Sequence, residues 1–221
     1  ESLDDAEGRR RRHGDPHGRP SGARRTMADK NILFWNCSVR ANRHYNDKRY
    51  DDAIAAYSEA LALAPQCSME TSKRDLATLH YNRARAAYRL GKHCTAVDDC
   101  SAALEHDATY RNALAQRAEC HMSLFDFARA VRDFQALLDA DPSDRQWARR
   151  LLDARAMRDM SHYQVLGVAP TAPPDALKKA YRTQCLRWHP DKHKASNEDQ
   201  TRATTAFRRI TAANEVLSDS Y

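Results

Sequence analysis

YRTQCLRWHPD, residues 181–191, follows LKK at 177–179 and carries the reading of the whole chain. Leu177, Tyr181, Gln184 and Trp188 recur at i, i+4, i+7 and i+11, which is one face of a 3.6-residue helix. Lys178, Arg182 and His189 fall on a neighbouring face, with Lys179 beside them. Pro190 has no backbone N–H and disfavours helical geometry in the residue before it, so the helix is expected to end at His189. The result is a row of cations leading to an imidazole and a carboxylate on a stiff turn. Such groups suit docking; no nucleophile with its base and no metal cage is present in the stretch.

The flanks extend the pattern. SHYQVLGVAPTAPPDALKKAYR stands at 161–182 and AFRRITAANEVLSDS at 206–220, with Phe207, Ile210, Val216 and Leu217 as apolar members of the second. A short helix ending in LGV, a helix bearing KKAYR, then His-Pro-Asp, then a helix ending EVLSD: in order and spacing, residues 159–221 resemble the J domain of DnaJ-type co-chaperones. The resemblance implies that His189, Pro190 and Asp191, with Lys178, Lys179, Arg182 and Arg208, bind the ATPase domain of a 70-kDa heat-shock chaperone. Thr171 is expected to cap the His-Pro-Asp helix, with Pro173 and Pro174 in its first turn and Asp175 facing the positive end of its dipole. Family J domains run on into a short fourth helix, so this one is expected to be cut off after its third. It departs from the family at Thr183, where a second basic residue is common, and at Asn214, which replaces a core aromatic. A buried amide without partners costs roughly 1–3 kcal/mol, so the last helix is expected to form but to be held less tightly.

Composition bounds the remainder. Hydrophobic residues make up 42% and charged residues 30% of the 221, without any apolar run long enough to span a membrane. The net charge of +6 is spread thinly: residues 1–26 hold seven arginines against five acids, and residues 159–221 nine Lys/Arg against seven acids. Only Lys178–Lys194 concentrates charge, six cations against Asp191, so no nucleic-acid-sized basic field is expected. The six cysteines (Cys37, Cys67, Cys94, Cys100, Cys120 and Cys185) have no CxxC spacing and sit in helical patterns, which reads as apolar packing in a reducing compartment, with neither zinc nor disulfides. No cofactor is expected.

Residues 1–30 are expected to be a disordered basic segment. Gly8, Gly14, Gly18 and Gly22 lie here with Arg9–Arg12 in a row and no apolar periodicity, too little to offset chain entropy. The segment lacks the apolar core of a secretory signal, and its acids argue against a transit peptide. Met27 reads as a natural start, with an extension before it. The arginine run suits a nuclear address as well as a solvated tail, so a cytoplasmic chain with access to the nucleus is expected.

Residues 31–158 repeat. Ala53, Tyr57, Ala60 and Pro65 recur as Ala96, Cys100, Ala103 and Ala108, then as Ala130, Phe134, Leu137 and Pro142; Ala41, Ala84 and Ala118 recur likewise. The second step is 34 residues, the period of the tetratricopeptide helix–turn–helix, and the first is nine longer, matching the polar stretch Gln66–Arg74. Small residues let paired helices approach closely, and three repeats need a cap, which Ser143–Arg158 can supply with Trp147, Leu151, Leu152 and Met157. The expected fold is all-α: a three-repeat solenoid with a capping helix, then an antiparallel J-domain hairpin at 159–221.

Repeats followed by a J domain resemble the tetratricopeptide-repeat J-proteins of the subfamily C member 7 type over residues 34–221, in which Gln184 is also polar. Tetratricopeptide co-chaperones often clamp the acidic tail of a 70- or 90-kDa chaperone with lysines, asparagines and an arginine. Carried over, the clamp leaves Asn42 and Asn82, while its three cations become Ser38, Asn112 and Gln116. Arg40, Arg111 and Arg117 are adjacent in sequence, but neighbouring helical residues point about 100° apart. The expectation is a co-chaperone, not an enzyme, whose groove serves a protein other than that tail. The alternative is a scaffold subunit of a larger assembly with little co-chaperone activity; the intact His-Pro-Asp favours the first. A phosphate loop, paired buried carboxylates and a Cys/His dyad with a base are all missing from the sequence.

Overall fold

The computed structural model describes residues 26–66 and 73–218. Three antiparallel helix pairs follow one another: α1 (Met27–Asn46) with α2 (Tyr50–Leu63), α3 (Lys73–Arg89) with α4 (His93–His106), and α5 (Arg111–Ser123) with α6 (Phe127–Ala140). A capping helix α7 (Arg145–Arg158) lies on α6, and α2 tightens into a 3-10 turn over Ala64–Gln66. The small residues of the repeat pattern do what the spacing predicts. Ala41, Ala53, Ala60, Ala84, Ala96, Ala103, Ala118 and Ala130 are fully buried, and Tyr57, Cys100 and Phe134 fill the grooves between them. The reduced thiols of Cys37, Cys100 and Cys120 are buried in this core, and burial pushes that of Cys120 up to about 12.

Polar pairs join one repeat to the next at the same period. Arg83 of α3 donates to both oxygens of Asp99 on α4, at 2.9 and 2.6 Å, and its third nitrogen reaches Ser58 on α2 at 2.9 Å. Thirty-four residues on, Arg117 of α5 grips Asp133 on α6 at 2.8 and 2.9 Å and reaches Ser101 on α4 at 3.2 Å. Each guanidinium therefore closes its own helix pair and ties it to the preceding one. In the first repeat the carboxylate position is Ala56, and Arg40 pairs instead with Glu59. Burial alone would push the Asp99 carboxyl up, but bonds from His80 and Arg83 hold it below its usual value.

The C-terminal unit comprises α8 (His162–Leu166), α9 (Pro174–Arg187) and α10 (Asn197–Ser218), with α9 and α10 forming the antiparallel hairpin. Ser161 and Gln164 cap α8 reciprocally, and Gly167, at φ 74°, ends it in a left-handed turn that lets the Val168 N–H reach back to Tyr163. Leu166, Leu177, Ile210, Ala213 and Leu217 form its core, with Tyr181, Cys185 and Trp188 packed around them.

Three expectations need correction. Disorder does not extend to residue 30, because Thr26 and Asp29 build a capping box that starts α1 at Met27. Thr171 does not cap α9: Pro173 occupies the cap position with Pro174 at the first helical residue, so the cap supplies no side-chain bond. Leu152 points outward on α7, 64% exposed, while Leu151 and Trp147 make the contact. The expected disorder of residues 1–25, Cys67 and most of the Gln66–Arg74 spacer lie outside the described residues.

Asp99→Asn should lower stability by about 3 kcal/mol in urea titrations, because it leaves the Arg83 charge without its counter-ion. Since the Asp99 carboxyl is depressed, its stabilisation is complete above the ordinary carboxylate range and is lost as pH falls through its own lower pKa. The variant should therefore show a shallower acid destabilisation than the native chain.

Candidate functional site

The corner at the end of α9 is built by backbone rules. Trp188 closes the helix with its N–H on the Gln184 carbonyl at 2.9 Å, and His189 turns extended at φ −64° and ψ 125°, as a residue before proline prefers. Pro190–Lys192 then make one 3-10 turn. The Asp191 N–H donates to His189 Nδ1 at 3.3 Å, which leaves the ring proton on Nε2 in the neutral imidazole. The carboxylate of Asp191 faces Lys194 at 2.8 Å, and that bond and charge hold it below the usual carboxylate range. Both partners are open to water.

Rings secure the loop from behind. His193 stacks on Trp188 with centroids 5.6 Å apart and planes 19° off parallel, and its Nε2–H donates to the Arg187 carbonyl at 2.8 Å. His189 meets Phe207 of α10 edge-on at 5.9 Å. Lys178, Lys179, Arg182, His189, Asp191 and Arg208 are all exposed, and Pro190 is half-buried. Arg208 follows Phe207 directly, so α10 adds its cation next to the ring that holds His189.

The groove positions are a separate set. Ser38 is 8% exposed, and its hydroxyl is spent on the Phe34 carbonyl at 3.0 Å. Asn42 accepts from Tyr57 at 2.6 Å, Asn82 is half-buried, Asn112 is exposed and Gln116 points to the Cys120 sulfur at 3.9 Å. The three neighbouring arginines are engaged elsewhere: Arg40 with Glu59, Arg117 with Asp133, and Arg111 within 3.8 and 3.9 Å of Asp141 and Asp144. Beside Asn112 lies an open polar cleft of about 630 Å³, where Arg74 and Arg111 accompany Asp107, Thr78 and Tyr110. Arg85, which sequence reasoning passes over, lies 4.6 Å above the Tyr45 ring and 5.8 Å from Tyr81. A 43-residue shift, the first repeat step, carries Asn42 onto Arg85 and is the signal that finds it.

Residues 161–221 match the model of the DnaJ domain, and residues 36–67 that of the tetratricopeptide repeat. The chain is thus a tetratricopeptide-repeat protein that carries a J domain. Within that class it is similar to the DnaJ homolog subfamily C member 7 homolog of Schizosaccharomyces pombe, 36% identical over 188 residues, covering 83% of this chain and 38% of that protein. It is 32% identical over 182 residues to DnaJ homolog subfamily C member 7 of Homo sapiens, covering 80% and 36%. The chain spans little more than a third of the length of these relatives. Among solved structures, the first tetratricopeptide domain of Spaghetti (RPAP3), bound to an HSP90 peptide, superposes with a TM-score of 0.51 at 22% identity, covering 58% of this chain and 95% of that one. That likeness shows the shared solenoid fold.

Proposed function

We propose that this chain is a co-chaperone whose J domain engages the ATPase domain of a 70-kDa heat-shock chaperone and stimulates its ATP hydrolysis. The observation that carries the reading is the His189-Pro190-Asp191 corner. It projects open from the end of a basic helix, with the His189 Nδ1 accepting from the Asp191 N–H and the Asp191 carboxyl held below the usual carboxylate range. The Asp191 carboxylate contacts the exposed Lys194 at 2.8 Å and lies 3.8 Å from His189 Nδ1, and an arginine on the partner can replace the lysine contact with a bidentate one. The chain contributes no catalysis of its own; the chemistry belongs to the partner.

Asp191→Asn and His189→Gln should each abolish ATPase stimulation in a single-turnover assay, with helical circular dichroism and melting temperature nearly unchanged. Full stimulation by either variant refutes the mechanism. If it is the scaffold reading that holds, the native chain itself leaves hydrolysis at its basal rate.

Lys178, Lys179, Arg182 and Arg208 steer the encounter. Their reach is screened over roughly 8–10 Å at physiological salt, so added salt should slow association with the chaperone far more than it speeds dissociation. An association rate indifferent to ionic strength assigns these charges to plain solvation.

The array serves a protein partner other than the acidic chaperone tail. Spaghetti's domain was solved with an HSP90 peptide, whereas here Ser38, Asn112 and Gln116 occupy the cationic clamp positions, and the adjacent arginines are spent on internal carboxylates. Hydrogen bonds to charged groups contribute roughly 1.5–3 kcal/mol each, so losing three removes most of a micromolar affinity. Calorimetry with a tail peptide should detect no binding to the native chain and measurable binding once Ser38→Lys, Asn112→Lys and Gln116→Arg are combined. Low-micromolar binding by the native chain overturns this assignment and points to the Arg74–Arg111 cleft as the replacement cation source.

A further inference from the structure

The turn inside each repeat has the same backbone and a different residue. Lys48, Gly91 and Phe125 are separated by the repeat steps of 43 and 34, and all three lie in the left-handed region, at φ 62°, 73° and 62°. Glycine is the residue this geometry favours, and lysine tolerates it on an open turn. A phenylalanine there is an outlier, and such strain persists where surrounding contacts fix it. Its ring has contacts that neither of the other turns makes.

Phe125 bridges the repeat array, where its ring lies 6.1 Å from that of Phe127, and the J domain. Its ring stands edge-on to Trp188 at 5.6 Å and 84°, and the Arg202 guanidinium of α10 lies 5.3 Å from its centroid. Next to it, Arg209 of α10 sits 4.9 Å over Phe127 and donates to the Met157 carbonyl at 2.7 Å, while Cys94 of α4 meets Thr201 at 3.5 Å. Helix α10 therefore rests along the turns of the second and third repeats and the end of α7. The interface leaves an open apolar pocket of about 180 Å³ lined by Phe125, Phe127, Met157, Met160, Trp188 and Arg209. Two side-chain atoms of the elements that meet here, His93 Nδ1 and Arg202 Nε, are buried without hydrogen-bond partners. An interface of this quality holds by a few ring contacts, and the removal of one should release it.

Trp188 is also the residue on which His193 stacks, and His193 is bonded back to Arg187. Phe125, Trp188 and His193 thus form a continuous file of rings from the repeat array to the base of the loop that presents His189, Pro190 and Asp191. The cations of α9 and Arg208 stay exposed in this arrangement, so docking leaves the proposed chaperone-binding face open. From these contacts we infer that Phe125 is a positioning residue: it docks the J domain on the repeat array and braces Trp188, so that the array sets the pose of the His-Pro-Asp corner. The functional half of this assignment rests on the co-chaperone reading; the docking half does not.

The test uses the full chain with Phe125→Gly, which removes the ring and suits the left-handed turn, and Phe125→Tyr, which keeps the ring. Phe125→Gly should leave the melting temperature of the array unchanged or raised, since glycine relieves the backbone. The Trp188 indole N–H resonance should shift, and J-domain amides should tumble about two- to threefold faster than those of the array. The apparent affinity for the chaperone should weaken about threefold, the size of effect that coupling between sites commonly carries. Phe125→Tyr should restore all three readouts. An unmoved indole resonance with uniform tumbling in Phe125→Gly overturns the docking. Released tumbling with unaltered chaperone affinity overturns the bracing role. Failure of the native chain to stimulate hydrolysis defeats the co-chaperone reading, while the resonance and tumbling still decide whether Phe125 docks the domain.

Discussion

A carboxylate sealed between two helices must be ionised and paired, or it destabilises the fold, and Asp99 and Asp133 place that demand on consecutive repeats. Arg83 and Arg117 answer it with two nitrogens and use the third to reach back to a serine one repeat earlier. A buried pair of this kind adds little net stability over apolar packing, but it permits only one registration of the helices. The alanine positions allow close approach in several registers, whereas the guanidinium fork allows one. The superhelical stack, and with it the placement of the groove and of the turns that meet the J domain, depends on that choice.

Much of this was legible in the sequence, for reasons that differ by element. The repeats announce themselves because close helix packing needs alanine at fixed intervals, and Ala53, Ala96 and Ala130 are all fully buried. The corner is legible because proline restricts the residue before it, and His189 is indeed extended. The start of α1 was not, because one capping box in a polar stretch outweighs a composition that otherwise reads as unstructured. Nor was the exposure of Leu152, since on a terminal helix one face has no neighbour and periodicity cannot say which apolar residue is left out. The pairing of Arg117 with Asp133 recurs from Arg83 and Asp99 at 34 residues, yet it becomes visible only when charged positions are compared as well as small ones.

The domain contact lay beyond any one-dimensional reading. The spacing of α9 places Trp188 on the core face, which is correct for the J domain alone, but its ring also meets Phe125, sixty-three residues earlier by sequence number. Periodicity reports which side of a helix is apolar; it does not report how many bodies share that side. The two proposed activities of the chain are thereby tied to one piece of geometry. The repeat residues Asn42 and Arg85 and a corner carrying Asp191 belong to units joined through the seam where Phe125 meets Trp188.

The buried thiols have a use of their own. Cys37 lies in α1, Cys100 in α4 and Cys120 in α5, one in each repeat, all almost inaccessible and, at Cys100 and Cys120, with their ionisation strongly suppressed by burial. Alkylating reagents attack thiolates, so a folded repeat shields its sulfur twice, by exclusion and by protonation. The labelling rate of each cysteine then counts how often its own repeat opens. The solenoid carries a clock in every layer, and three rates from one protein sample reveal whether the stack breathes from its ends or parts as a whole.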